Sequence, residues 1–180
     1  MATLRNQALL WLFWEEGLTV SEACALQVGA VALHQGIVRL VCPGVGERRI
    51  ALGQESQRAL GLYLACLSQQ GALHAEVWLF RTERGDRMTN NAVTLLFARI
   101  NLLAGMADAY ITPSMLRETF AVRYLQSGRQ VHALQTHLGL HDRNSMKRFQ
   151  QAAGLGERRP AARRRKKRKK RVCQTTHSCF

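Results

Sequence analysis

Arg117 opens a run of basic residues in the last third of the chain. It stands in the stretch ITPSMLRETFA at residues 111–121, and a guanidinium there offers a planar fork of N–H donors that matches two oxygens of one phosphate. Arg123, Arg129, Arg143, Lys147 and Arg148 follow it, interleaved with apolar residues at helical spacing. Arg48 and Arg49 add a basic pair beside an earlier β-rich run. Side chains of this kind suit a polyanion, with double-stranded DNA the leading partner and an anionic membrane surface the second. The same set also reads as the solvated faces of ordinary helices.

The charge of the whole chain points the same way but is unevenly placed. Lys and Arg number 26 against 12 Asp and Glu, a formal net charge of +14. Of that, the run RRRKKRKKR at residues 163–171 carries +9 and the remainder of the chain +5. Arg163, Arg164, Arg165, Lys166, Lys167 and Arg168 open this run. Like charges so close repel one another and bury no apolar surface, so residues 157–180 are expected to form a disordered basic tail behind a domain at 1–156. Such a tail grips DNA through phosphate contacts and counterion release, with little sequence information, or is simply solvated.

A chain of 180 residues, 47% hydrophobic and 21% charged, is long enough for one domain with one core. The cysteines, Cys24, Cys42, Cys66, Cys173 and Cys179, are odd in number and form no dense framework, which fits reduced thiols and a cytoplasmic, nucleoid-associated protein. Cys173, His177 and Cys179 fall short of the usual four-ligand zinc site, and His132 and His137 are spaced so that they do not share a helix face. No metal and no cofactor is expected. The apolar start ALLWLFW is short and runs into Glu15 and Glu16, and no run approaches the ~20 apolar residues of a spanning helix, so no membrane partner is expected either.

The elements that must position these residues follow from periodicity and punctuation. Residues 6–16 read as a buried helix stopped by Gly17, and Ser21 as the N-cap of a second, short helix. Residues 36–41 and 48–52 are β-rich runs around the turn-forming CPGVGE and predict a hairpin. Helices are predicted over 54–70 and 90–104, with VWLF at 77–80 as a strand between them. The last third is helical again, broken at Gly128 and Gly139. The fold class is therefore mixed α+β, mainly α, with a small antiparallel hairpin or sheet.

This order carries a resemblance. RNQALLWLFWEEGLTVSEACALQV is similar to the opening R-D-x-A-L-x-x-L-x-x-x-T-G-L-R-x-S-E-L-x-x-L of the tyrosine recombinase catalytic domain, and GERRIALGQESQRALGLYL to its K-x-R-x-V-P-L and following helix. RTERGDRMTNNAVTLLFARI resembles the strand, Gly turn and helix that come next, and ITPSMLRETFA with the later LGL resembles T-P-H-x-L-R-H-T-F-A and L-G-H. The resemblance runs in the correct order over residues 4–151. It implies a tyrosine recombinase catalytic-domain-like fold, DNA as substrate and other recombinase subunits as a further partner class. It covers the catalytic domain alone, without the separate N-terminal domain that closes a clamp in many members.

The family's chemistry needs two arginines on the scissile phosphate, a hairpin lysine, two histidine-type positions and a tyrosine that links covalently to DNA. By the resemblance, Arg117 retains the second arginine and Glu22 the acidic position of G-L-R-x-S-E, although Glu22 reads equally as a residue of a helix N-terminal turn. The first arginine is replaced by Thr19, the hairpin lysine by Pro43, the two histidines by Ser114 and Leu140, and the nucleophile by Phe149. His141 stands one place late, which on a helix turns a side chain by ~100°. Tyr63, Tyr110 and Tyr124 lie where the family places packing residues. The expectation is a DNA-binding pseudoenzyme of mobile-element origin. A recombinase completed by a partner subunit and a non-functional relic are the alternatives.

Overall fold

The computed structural model describes residues 1–42, 46–71, 73–106, 110–140 and 143–155. Helix α1 (Ala2–Glu15) turns Ala8, Leu9, Leu12 and Phe13 inward, a stripe at helical spacing that leaves no exposed surface on any of the four. Helix α3 (Gln54–Gln69) lays Leu60, Tyr63 and Leu67 against it. Helix α4 (Asn90–Leu103) closes this first core with Val93 and Phe97, whose ring meets Phe13 at 5.9 Å between centroids. Each such side chain stabilises the fold by about 1.5–3 kcal/mol on burial. The buried Tyr63 keeps its polar end satisfied by donating to Leu79 O at 2.9 Å.

Between α1 and α3 runs helix α2 (Val20–Cys24), then a small antiparallel sheet of β1 (Val31–Ala32), β2 (Ile37–Cys42) and β3 (Gly46–Ala51) in the order β1-β2-β3. Val38 pairs with Ile50 and Leu40 with Arg48. Val38, Leu40 and Ile50 face the core, so the register sends Arg39 and Arg49 to the opposite face.

Helices α5 (Pro113–Gln126), α6 (Val131–Leu138) and α7 (Arg143–Ala152) gather a second core of Phe120, Ala121, Leu125, Leu134, Leu138, Met146 and Phe149. Pro113 opens α5 at a position where no helical N–H is needed, and Thr112 Oγ1 accepts from Met115 N at 3.2 Å.

The fold class is as expected, with differences in detail. The sheet has a third strand, β1, too short to leave a pattern in sequence. The first helix begins earlier than residue 6. The second helix is capped by Thr19 rather than Ser21, because Thr19 holds the extended φ −79°, ψ 159° of a cap while Ser21 lies inside the first turn. Residues 77–80 do not form a strand. Trp78 makes a single bridge to Gln27, and Leu79 N donates to Leu26 O at 2.8 Å, so the segment is an extended tie that buries Leu79 and Phe80. Pro43, His141, the residues Arg163, Arg164, Arg165, Lys166, Lys167 and Arg168, and Cys173, His177 and Cys179 lie outside the described residues. So does the expected domain boundary at 156.

A candidate phosphate-facing site

Three backbone breaks converge around Arg117: the Gly17 turn after α1, the strand β3, and the Gly139 turn after α6. At the first, Thr19 and Glu22 form a reciprocal capping box, with Thr19 N donating to Glu22 Oε2 at 2.8 Å and Glu22 N to Thr19 Oγ1 at 3.2 Å. The residue at the first-arginine position thus fixes the acidic one. Glu22 thus takes the helix N-terminal role that the sequence offered, and its carboxylate is also flanked by cations. Arg48 Nη2 lies 2.7 Å from Oε1 and Arg117 Nη1 3.6 Å from Oε2.

These side chains are nearly enclosed, at 12% exposure for Arg48, 15% for Glu22 and 14% for Arg117. Arg117 donates through Nη2 to Leu138 O at 2.9 Å and through Nη1, in a very short contact, to Gly17 O. It therefore ties the end of α1 to the end of α6. Gly17 and Gly139 both take left-handed φ, +64° and +62°, where a side chain is strained. Both also lack room for one. A Cβ at 17 would overlap the Phe120 ring, and one at 139 would overlap Arg48 Nη1.

Among the described residues, two guanidiniums flank the one carboxylate of Glu22. The remaining sequence-predicted residues are spread wider. Ser114 is exposed near the start of α5, and Leu140 is half-buried against the second core. Phe149 is 4% exposed inside that core. Arg49 is 73% exposed and 3.6 Å from Glu47. Arg123 stacks over Trp14 at 4.5 Å, and Arg148 pairs with Glu118 at 2.6 Å beside the Phe149 ring. Lys147 is exposed on α7, to which Arg143 also belongs. Arg48, like Arg117, is an interior residue among the proposed DNA contacts rather than an open arm. Its place opposite core-facing Leu40 in the β2–β3 register turns it inward.

Sequence reasoning missed a second polar junction. Glu16 is 1% exposed, and its carboxyl accepts from Gly53 N at 2.6 Å and from Ser56 Oγ at 2.7 Å. Burial pushes its pKa up to about 7, against the opposing pull of those two donors and with a small push from Glu15. His137 Nε2 lies 3.0 Å from Glu16 O, and its ring stacks on Phe120 at 5.0 Å. Burial holds this imidazole below its usual pKa, more strongly than the bond to Glu16 O raises it, and Arg48, Arg117 and Arg129 push it further down. The signal available in sequence was an acidic pair directly before a helix-ending glycine.

No group of three His, Cys, Asp or Glu able to hold a metal occurs among the described residues, and no described helix is long and apolar enough to cross a membrane.

Comparisons with known proteins bear on what this geometry is. The curated relatives include a tyrosine recombinase XerC of Pelobacter propionicus, 34% identical over 137 residues, covering 76% of this chain and 44% of the relative. A tyrosine recombinase XerD of Xanthomonas axonopodis is 34% identical over 145 residues, covering 77% and 48% respectively. The chain thus spans about half the length of the curated relatives it matches. Among solved structures, a XerA recombinase superposes with a TM-score of 0.73 at 25% identity, over 82% of this chain and 53% of the other. A XerH site-specific recombinase bound to palindromic difH substrate, in a post-cleavage complex, superposes with a TM-score of 0.70 at 21% identity, over 83% and 43%. The phage integrase family pattern matches residues 1–154, and the chain, with the tyrosine recombinase catalytic-domain fold, belongs to that family.

Proposed function

We propose that this domain binds duplex DNA without cleaving it, as a regulator or accessory partner of active recombinases. The observation that carries this reading is Phe149. It stands where the family places its nucleophile, offers no atom that can attack phosphorus, and is 4% exposed among Leu134, Leu138 and Met146. The position works as packing. Thr19, bound into a capping box, and Leu140, packed on the same core, agree with it. On the binding side stand the net charge of +14 and exposed Arg49, Arg123, Lys147 and Arg148. The charged tail adds non-specific grip through counterion release.

The test incubates the full chain with nicked duplexes that trap covalent intermediates, followed by a denaturing gel. No covalent adduct is expected, alongside duplex binding that weakens steeply as salt rises. An adduct formed by the unaltered chain overturns the non-cleaving reading. Binding that is indifferent to salt overturns the phosphate-binding one.

A further inference from the structure

We propose that the cleft between α5, α6 and the β3–α3 junction binds a phosphate group, held between Arg123 and Arg129. Arg117, Arg48 and Glu22 do not line it. The site stands on the cleft itself; only the source of its phosphate, a DNA backbone, rests on the DNA-binding reading above.

The local sequence builds one wall. Phe120, Arg123, Tyr124 and Ser127 recur at three- and four-residue spacing along α5 and its cap, so they share one face, and all four line the cleft. Gly128, at φ +79°, turns the chain beyond the helix, and Arg129 comes to lie over the Tyr124 ring, its guanidinium carbon 4.8 Å from the centroid. Arg123 lies in the same way over Trp14, at 4.5 Å. His137 on α6, with Glu15 and Gly53, helps close the other sides of a cleft of about 840 Å³. That is more room than a bare phosphate fills, and it admits the sugars on either side of a backbone phosphate.

Both arginines are exposed, and neither guanidinium has a hydrogen bond or an ion pair among the described residues. Contact with an aromatic ring restricts a long side chain, so part of the ordering that a ligand would demand is already in place. The N–H donors stay available, and a guanidinium presents them as a fork that fits two oxygens of one phosphate. Glu15, the acid in the lining, is turned to another partner, its Oε2 accepting from Ser56 N at 2.8 Å. Two cations thus share the cleft with one engaged carboxylate, and an anion between them relieves their repulsion. The positive field reaches His137. Burial already holds that imidazole below its usual pKa, and Arg48, Arg117 and Arg129 push it further down against the bond to Glu16 O.

The experiment compares the full chain with Arg123→Gln, Arg129→Gln and the double variant, which lose the charge but keep most of the aliphatic stem. A control carries Arg84→Gln and Arg99→Gln, two exposed arginines that line a different groove, beside α1 and α4. Each protein is checked for cooperative melting, and the tail is present in all of them. One arm measures binding of a fluorescein-labelled, mixed-sequence duplex across a salt series. The other titrates inorganic pyrophosphate and follows the Trp14 indole N–H by NMR. The double variant is expected to weaken duplex binding several-fold and to flatten the slope of log affinity against log salt by about 0.9, the loss of one phosphate contact, with the control almost unchanged. Pyrophosphate should move the Trp14 signal in the unaltered chain and leave it in place in the double variant.

A duplex loss specific to the double variant assigns the site to the DNA backbone. A flattening near 1.8 means two separate contacts and overturns the shared phosphate. A Trp14 shift that the double variant abolishes, with duplex binding no weaker than the control's, keeps the site and makes free phosphate its ligand. Duplex binding no weaker than the control's together with a Trp14 signal indifferent to pyrophosphate overturns the site and leaves salt-sensitive DNA binding standing. A chain that binds no duplex at any salt removes the DNA-binding reading instead, and the pyrophosphate arm then decides the cleft alone.

Discussion

Glu16 and Glu22 lie on either side of the Gly17 turn, and both are enclosed, yet their surroundings have little in common. Glu22 meets two guanidiniums and caps a helix. Glu16 meets only neutral donors, Gly53 N and Ser56 Oγ, while its neighbour Glu15 accepts from Ser56 N at 2.8 Å. The first arrangement sets opposite charges against its carboxylate. The second stores a carboxyl held, among the described residues, by neutral donors. The difference shows that enclosure alone does not decide how a carboxyl is held. The sign of what surrounds it does.

Removing the carboxylate at Glu22 should be the most damaging change. Glu22→Ala leaves Arg48 and Arg117 crowded and without their shared counter-charge, and it deletes the capping box. Breaking a buried ion pair on one side costs about 3–5 kcal/mol, and the lost cap adds about 1. Urea unfolding should show a loss of this order. A loss under about 1 kcal/mol would mean that solvent already screens the cluster and would erase the contrast with Glu16.

At Glu16 the effect is smaller and depends on pH. A carboxyl whose pKa is raised from 4.5 to about 7 on folding contributes stability fully below 4.5 and loses it as pH rises through 7. A shift of that size corresponds to about 3 kcal/mol. Glu16→Gln cannot ionise, so its stability relative to the unaltered protein should climb by about that much between about pH 5 and about pH 8. His137 works in the opposite sense. Its lowered pKa gives stability present above 6.5 and lost as pH falls. That slope is common to both proteins and cancels in the difference. Parallel stability curves for the two would show that Glu16 stays solvated.

The contrast also explains what was legible in sequence. The helices, the hairpin and the Gly17 and Gly139 breaks could be read because hydrophobic periodicity and glycine punctuation are local. Arg117 and Glu22 were singled out by the family resemblance of short motifs. Arg48 was misjudged as an open arm because its burial depends on strand register and on a missing side chain at Gly139, far along the chain. The junction of Glu16 and His137 was missed for the same reason, beyond the hint of an acidic pair before Gly17. Their partners, Gly53, Ser56 and Phe120, come from other elements, and no local pattern records a contact between the end of one helix and the start of another.

Phe149→Tyr is the mildest change and the most direct probe of the proposed loss of the nucleophile. The ring fits as before, but the added hydroxyl enters a core lined by Leu134, Leu138 and Met146. A buried hydroxyl without a partner costs about 1–3 kcal/mol, so a modest fall in melting temperature is expected. Covalent chemistry should not return. The phosphate would still lack the first arginine at Thr19, and Ser114 and Leu140 would still offer no imidazole to move a proton. Groups that act as a unit are not restored one at a time. The variant, incubated with the same nicked duplexes, should leave no covalent adduct on a denaturing gel. If it does form one, Arg117 and its surroundings are sufficient to activate a phenol, and the domain is one substitution away from an enzyme.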